Sequence, residues 1–236
     1  MILNDALSGV IAVALAYLIG SVPFAYLVTR LVKGKDIRDL GTGHTGRGNV
    51  GARNVFVNVG KIAGGVVAIL DIAKGAGAVL LAEWLLRWPR PSDTTLRTSL
   101  IFALAAGLAA IAGHIWPVYI KFKGGAGLST AIGVMAIVLT RELAFALAIA
   151  VVLIYVTRNV ILSANLSMLT IPLWAAFDRL GWWMIVYPLV AGAVMFWHFL
   201  PNVVAEIRKA GSWDRLVNGL IHRGPQRRPP PRTARR

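Results

Sequence analysis

A glycine-rich segment at residues 36–56 combines a flexible backbone with side chains that suit phosphate groups. It reads Asp36-Ile-Arg-Asp-Leu-Gly-Thr-Gly-His-Thr-Gly-Arg-Gly-Asn-Val-Gly-Ala-Arg-Asn-Val-Phe56, with five glycines from Gly41 to Gly51. Glycines allow successive backbone N–H groups to point at a bound anion. The hydroxyl and guanidinium groups between them are good ligands for phosphate oxygens. The segment therefore predicts an anion-binding site, although a flexible surface loop would have a similar composition.

A second glycine cluster follows a histidine at residues 113–130. It reads Gly113-His-Ile-Trp-Pro-Val-Tyr-Ile-Lys-Phe-Lys-Gly-Gly-Ala-Gly-Leu-Ser-Thr130. A glycine turn that opens a helix can hold phosphate, because the helix N-terminus presents oriented N–H donors. It is not a Walker A loop, since the Gly-Lys-Ser/Thr ending is missing. His114 ends an apolar run, where a packing role and a functional role fit its position equally well.

Polar residues also occur at the end of the last apolar run and inside an earlier one. His198 and Asn202 lie at a membrane exit and could bind substrate; the alternative is an aromatic belt with a helix stop at Pro201. Asp71 and Lys74 are three residues apart, so they share a helix face and can pair. Ionisable residues at such depth are candidates for function, and a purely structural pair is the open alternative.

The composition of the chain places these segments in a membrane protein. Of its 236 residues 57% are hydrophobic and only 15% charged, the mean hydropathy is +0.67, and yet the formal net charge is +15. Six arginines and no acid lie in the last sixteen residues, and many other basic residues lie between long apolar runs. Because a nucleic-acid binder would spread its charge over a soluble fold, we expect a polytopic membrane protein with no nucleic-acid partner. Cysteine is absent, the four histidines lack metal-ligand spacing, and we predict no cofactor.

Long apolar runs predict the membrane-spanning helices. A span needs about 20 mostly apolar residues. The stretch 124–157 is either one long helix with a buried Arg141–Glu142 ion pair, or two short helices with a turn at residues 140–142. Its first part begins with glycines and could start as a re-entrant loop. The clear candidates are Ala6–Val32, Ile62–Leu86, Thr98–Ile120, Val160–Phe177 and Trp182–Leu200.

The distribution of basic residues decides between these alternatives. Basic loops stay in the cytoplasm, and only seven spans put residues 33–61, 121–129 and the C-terminal tail on one side. We therefore predict an all-α polytopic protein of the cell (inner, cytoplasmic) membrane. It has seven transmembrane helices, the N-terminus outside, the C-terminus in the cytoplasm, and glycine-rich cytoplasmic loops. Residues 1–205 form the membrane domain, and residues 206–236 form a basic tail that is disordered from about residue 221.

Taken together and in this order, these motifs resemble the bacterial membrane acyl-phosphate:glycerol-3-phosphate acyltransferase family. The resemblance covers roughly residues 10–205. The matching stretches are Gly20–Phe24, Asp36–Arg38, Gly41–Gly43, Asn49–Phe56, Leu70–Gly75, Gly113–Pro117 and Lys123–Gly127.

The resemblance implies that a fatty acyl group passes from acyl phosphate to the 1-hydroxyl of glycerol 3-phosphate. The products are lysophosphatidic acid and phosphate, in phospholipid biosynthesis. The implied partners are these two substrates, membrane lipid and the soluble enzyme that supplies acyl phosphate. The alternatives are a membrane transporter and a homologue that binds lipid or phosphate without turnover.

The same resemblance assigns the site residues. Thr42 takes the place of the family's serine, and Val57 takes the place of an arginine. Arg53 would share a helix face with Val57 and supply that guanidinium, and Lys123 is the nearest replacement for a lysine that is Ala126 here. The predicted catalytic residues are Thr42, Arg53 and His198, the last as proton carrier. The predicted substrate-binding residues are Arg38, Gly43, Asn49, Gly51, Asn54, Lys123, Gly124, Gly125, Gly127 and Asn202.

Overall fold

The computed structural model describes residues 2–40, 48–86 and 95–210, and regular secondary structure in these ranges is entirely helical. Four apolar stretches are long enough to cross a membrane, and three shorter apolar helices accompany them in the described part of the chain. The helices are α1 (Ile2–Ser21), α2 (Phe24–Lys33), α3 (Ala52–Asn58), α4 (Lys61–Leu85), α5 (Thr95–Ile115), α6 (Leu128–Val138), α7 (Thr140–Thr157), α8 (Val160–Met168), α9 (Ile171–Phe177) and α10 (Trp182–Ala210).

Glycines let the central helices approach closely. α1 packs along α5, and α4 packs along α6. Gly20 of α1 lies against the Ala110 backbone of α5, and Gly75 of α4 lies against the Thr130 carbonyl of α6. A Cβ atom at either glycine would overlap the facing backbone. Small residues at helix crossings are the usual means of packing in membranes, where no hydrophobic force drives helices together.

The first predicted span is interrupted. Instead of one helix over Ala6–Val32, α1 ends at Ser21 and α2 begins at Phe24. Pro23 lies at the break and explains it, because the proline ring restricts the backbone of the preceding residue and the proline nitrogen donates no hydrogen bond. The break leaves irregular backbone at Val22, inside an apolar run that gave no other signal of an interruption.

The stretch 124–157 forms two helices, as one of the two alternatives predicted. α6 ends and α7 begins around Leu139, whose backbone (φ −139°, ψ 58°) is not helical. The single long helix with an internal Arg141–Glu142 pair is wrong. Arg141 Nη1 instead lies 3.5 Å from Asp178 Oδ2, beyond the end of α9.

Two other predicted spans differ from the structure in their ends or continuity. Val160–Phe177 is divided into α8 and α9, because Pro172 has no N–H to continue the α8 hydrogen-bond ladder. The alternative of a helix stop at Pro201 is wrong, since α10 continues through Pro188 and Pro201 to Ala210. Prolines are tolerated within membrane helices where neighbouring groups satisfy the freed carbonyls. α10 also continues past residue 205, where the sequence suggested a domain boundary.

Candidate active site

The two glycine-containing segments meet at one end of the helical bundle. The Val50 N–H donates to the Gly124 carbonyl over 3.1 Å. Arg38 Nη1 donates to the Ile120 carbonyl over 3.3 Å, and the Ile37 side chain packs with Val50 and Ile120 in one buried cluster. The sequence placed both segments on one side of the membrane, and the structure brings them into direct contact.

Asn54 holds the first of these segments in shape. Its side chain is fully buried, with 0% of its surface exposed. Its Nδ2 donates to the carbonyls of Ile37 and Asn49 over 3.2 and 2.8 Å, and its Oδ1 accepts from Asn58 Nδ2 over 2.7 Å. Asn54 therefore bridges the two ends of the 37–49 segment from the first turn of α3. The sequence assigned this residue to substrate binding, and the geometry gives it a role in shaping the loop.

Arg38 is oriented by a neighbouring carboxylate. Its guanidinium bonds both oxygens of Asp36, with Nη2 2.6 Å from Oδ2, and lies over the Tyr26 ring with Cζ 5.6 Å from the centroid. The guanidinium holds the pKa of the Asp36 carboxyl below its usual value, and the carboxylate raises the pKa of Arg38. Arg38 therefore stays charged at the edge of the site in a fixed orientation.

The second segment makes a tight turn before α6. Lys121 and Phe122 have left-handed backbone (φ 58° and 59°), as does Gly127 (φ 87°) just before the helix. The Gly124 and Gly125 N–H groups donate to the Ile115 and His114 carbonyls over 3.2 and 3.1 Å. These two N–H groups are thus used to fold the turn, whereas the first N–H groups of α6 have no acceptor within the helix.

Basic side chains lie at the outer edge of this end. Lys123 is exposed on the turn, and Arg53 is exposed on α3. Residues 53 and 57 both lie in α3 and both are exposed, as the helical interpretation required. Asn49 is half-buried, and its side-chain amide lies beside Gly51.

The end of the last helix reaches the same region. The His198 ring is half-buried and meets Trp116 edge-on, with 5.7 Å between ring centroids. The Trp116 carbonyl accepts a hydrogen bond from Tyr17 Oη over 2.8 Å, which connects the Trp116 backbone to α1. Met195 of α10 packs against Gly127. His198 is thus near the glycine turn, although its sequence position lies far from it.

Some predicted residues lie outside the part of the chain that the structure describes. They are Thr42 and Gly43, together with the neighbouring residues 41 and 44–47. Asn202 lies within α10, but its side chain is outside the described part. Of the predicted site, the structure therefore brings together Arg38, Asn49, Gly51, Arg53, Asn54, Lys123, Gly124, Gly125, Gly127 and His198.

A buried ionic cluster lies directly beneath the glycine turn. Lys74 Nζ lies 2.9 Å from Asp71 Oδ1, which confirms the pair that the sequence indicated. His114 Nδ1 lies 3.4 Å from the same oxygen. The sequence paired Asp71 with Lys74 and singled out His114 separately, but it gave no sign that His114 meets this pair, because α4 and α5 are separate elements. With Ser21, Val22, Val50 and Gly124, the cluster lines a narrow cavity about the size of one water molecule.

An apolar groove of about 470 Å³ runs between α5 and α10. Its lining includes the small residues Ala112 and Ala193, and it also includes Trp116, whose ring contacts His198. The groove therefore joins a lipid-facing surface to the end of the molecule that carries the glycine turn. The full lining is Leu108, Ala109, Ala112, Trp116, Ala193, Val194 and Trp197.

This end can bind two kinds of chemical group at once. Cationic side chains and backbone N–H groups favour phosphate oxygens. The neighbouring groove favours a hydrocarbon chain, since it is lined almost entirely by apolar side chains.

Comparison with protein families matches residues 10–209 to the family described as "Glycerol-3-phosphate acyltransferase". Among similar proteins is "Glycerol-3-phosphate acyltransferase 2" of Dehalococcoides mccartyi, 36% identical over 212 residues that cover 89% of this chain and 92% of the relative. A "Glycerol-3-phosphate acyltransferase" of Myxococcus xanthus is 44% identical over 148 residues, which cover 63% of this chain and 69% of the relative.

Solved structures of one protein share this fold. They are crystal structures of PlsY (YgiH), an integral membrane glycerol 3-phosphate acyltransferase. Its glycerol 3-phosphate form matches with a TM-score of 0.70 and 28% identity, covering 92% of this chain and 96% of that one. Its lysophosphatidic acid form matches with a TM-score of 0.66 and 26% identity, covering 91% and 94%. The likeness extends over nearly the whole of both chains.

Proposed function

Because this chain belongs to the glycerol-3-phosphate acyltransferase family and is a multi-pass membrane acyltransferase, we propose that it transfers a fatty acyl group from acyl phosphate to the 1-hydroxyl of glycerol 3-phosphate. The products are lysophosphatidic acid and inorganic phosphate. The names of its relatives and of its structural neighbour support glycerol 3-phosphate as the acceptor. Acyl phosphate as the donor is our assignment, and a soluble enzyme that makes acyl phosphate would supply it.

The chemical step needs positioning more than a reactive side chain. The hydroxyl oxygen attacks the acyl carbonyl carbon, the bond from that carbon to the phosphate oxygen breaks, and inorganic phosphate leaves. The hydroxyl proton passes to His198, which lies half-buried beside Trp116. Acyl phosphate is already activated, so fixed cations and N–H donors supply most of the remaining stabilisation.

Phosphate groups would be held by the two glycine segments. Arg53 and Lys123 supply exposed positive charge, and Arg38 is already oriented by Asp36. Thr42 and Gly43 are assigned to the same role on the sequence alone, together with Asn202 at the end of the site. Asn49 and Gly51 would contact substrate from the first segment, and Gly124, Gly125 and Gly127 shape the second.

The apolar groove between α5 and α10 would hold the acyl chain. Its apolar lining and its end at Trp116 support this placement, because the carbonyl carbon must lie near His198 while the chain extends toward lipid. The observation that carries the proposed function is this juxtaposition. One groove for a hydrocarbon chain ends where two segments suited to phosphate meet.

In the proposed topology the site faces the cytoplasm. The chain would cross the inner membrane seven times, with the N-terminus outside the cell membrane and the C-terminus in the cytoplasm. This arrangement keeps both glycine segments and the arginine-rich tail on the cytoplasmic side, where basic segments are retained. Residues 1–205 would carry the catalytic activity. The tail would be cytoplasmic, where basic residues are attracted to anionic lipid by about 1 kcal/mol each near the surface.

The test uses purified protein in detergent with acyl phosphate and glycerol 3-phosphate, following phosphate release. We expect turnover that requires both substrates. Arg53→Ala should lower kcat/KM by about tenfold or more, which corresponds to at least about 1.4 kcal/mol of transition-state stabilisation. Gly125→Leu should abolish turnover, because its side chain would overlap the His114 imidazole and the Val50 carbonyl.

Two control variants carry the same chemical changes away from the site. Arg141→Ala removes an exposed guanidinium in the first turn of α7, and Gly65→Leu adds a side chain at a glycine where an added Cβ atom would meet nothing within 4 Å outside its own stretch of helix. Both should retain activity. If neither Arg53→Ala nor Gly125→Leu lowers phosphate release, the proposed site is wrong. Uptake of glycerol 3-phosphate into proteoliposomes without acyl phosphate turnover would instead indicate a transporter.

A further inference from the structure

The three buried ionisable residues beneath the glycine turn each reach a different part of the chain. Asp71 is 1% exposed, and Lys74 and His114 are each 6% exposed. Lys74 Nζ donates to the Val22 carbonyl over 2.8 Å, at the break between α1 and α2. Asp71, by its contacts with both Lys74 and His114, joins that break to the end of α5.

His114 contacts the glycine turn in two ways. Its backbone carbonyl accepts the Gly125 N–H over 3.1 Å, and its ring Nε2 faces Gly125 so closely that a Cβ atom there would overlap the ring. The Val50 carbonyl closes on Gly125 from another side. The imidazole therefore forms one wall of the space that the turn occupies, while its other nitrogen faces Asp71.

Packing alone does not account for these charges. Charged side chains are costly inside a membrane, and a buried ion pair can often be replaced by apolar residues of similar volume without loss of stability. Close packing of α4 against α6 is already provided by Gly75 and Gly133, which face backbone atoms of the partner helix. Asp71 Oδ2 has no hydrogen-bond partner among the described residues, so the carboxylate is not placed for maximal pairing.

We propose that Asp71, Lys74 and His114 form a positioning cluster that fixes the glycine turn and the α1–α2 break in the arrangement that binds the phosphate-bearing substrates. This inference rests on the proposed function. The cluster touches no substrate. It acts by holding the 124–127 backbone, through the His114 ring, in register with the first segment at Val50.

The principal test is a double variant that removes both charges at nearly constant volume, Asp71→Asn with Lys74→Met. It avoids leaving one buried charge without a counter-charge. We expect a folded protein by size-exclusion chromatography and thermal unfolding in detergent. The KM for at least one of the two substrates should rise about tenfold or more, while kcat at saturation changes less than about threefold.

Two substitutions at His114 test whether the cluster acts on the glycine turn through the His114 ring. They remain informative if the double variant fails to fold. Gln places an amide nitrogen near the position of Nε2, whereas Ala removes the wall of the turn altogether. We expect His114→Ala to raise the same KM about tenfold and His114→Gln to restore it to within about threefold of the unmodified protein. A merely structural role would not separate these two variants by KM at equal thermal stability.

The matched control is Asp178→Asn, which neutralises a carboxylate paired with Arg141 at the other end of α6. It should leave both KM values unchanged. An unchanged KM in the double variant, or a loss of kcat with unchanged KM, overturns the positioning role.

Absence of phosphate release from the unmodified protein would contradict the proposed function instead. Titration with inorganic phosphate would then replace KM, and equal affinity in all variants would overturn the positioning role.

Discussion

Asn54 is the residue on which the shape of the first glycine segment depends. Its amide donates to the carbonyls of Ile37 and Asn49, which lie on either side of residues 41–47 along the chain. A buried amide that makes several hydrogen bonds is costly to remove, since each partner is left unsatisfied. The sequence singled out Asn54 from its motif but could not show these hydrogen bonds, because a motif indicates a position without showing which way its side chain points; its role in substrate binding stays a prediction.

We predict that Asn54→Ala destabilises the protein by about 1–3 kcal/mol and lowers phosphate release, because buried carbonyls lose their donor. Thermal unfolding in detergent and the phosphate-release assay measure the two effects. Val57→Ala, on the exposed side of the same helix, serves as the control and should change neither. Equal stability of the two variants would show that the hydrogen bonds of Asn54 contribute nothing to the fold.

Helix contacts through glycine organise the elements around the site. Gly75 and Gly133 bring α4 and α6 together, and α6 begins immediately after the glycine turn. The position of α4 therefore determines where the turn lies. Hydropathy predicted α4 well, because about 20 apolar residues in a row leave few alternatives, whereas it left the stretch that contains α6 open between one helix and two. It missed the break at Pro23 and the division at Pro172, since apolar composition continues across both.

Two substitutions within α4 distinguish close packing from general helix preference. We predict that Gly75→Ala lowers thermal stability, because a Cβ atom would overlap the Thr130 carbonyl. A Cβ atom at Gly77 would meet nothing within 4 Å outside its own stretch of helix, so Gly77→Ala should be neutral or stabilising by up to about 1 kcal/mol from helix propensity. Thermal unfolding of the two single variants in the same detergent measures this. Tolerance of alanine at both positions would mean that α4 and α6 can move apart without cost.

Over the whole molecule, charge and apolarity are divided between two environments. Apolar side chains such as Ile69, Val151 and Phe196 face outward along the helices, whereas exposed lysines such as Lys35 and Lys123 lie in the connecting segments. The sequence predicted that the two glycine segments lie on the same side of the membrane, but it did not predict that they touch. Their hydrogen bonds, and the convergence of His114 on Asp71, depend on how separate helices pack.

The chain contains no cysteine, which makes its topology directly measurable. We predict that Lys35→Cys and Lys121→Cys react with a membrane-impermeant maleimide only after cells are permeabilised, because both segments are cytoplasmic in the proposed topology. Asp93→Cys lies between the predicted spans Ile62–Leu86 and Thr98–Ile120, which the proposed topology places outside, and should react in intact cells. The unmodified protein is the background control. Labelling of Lys35→Cys and Lys121→Cys on opposite sides would exclude the seven-span arrangement.

The hydrogen bond from Arg38 to the Ile120 carbonyl joins residues 82 positions apart. At a synthesis rate of about 5–20 residues per second, the ribosome needs about 4–16 seconds to pass from one to the other. During that time the first glycine segment has left the ribosome without the partner that completes it. The proposed site is therefore completed late in biogenesis, after α4 and α5 have been inserted. A nascent chain released before that point carries the first glycine segment without the second.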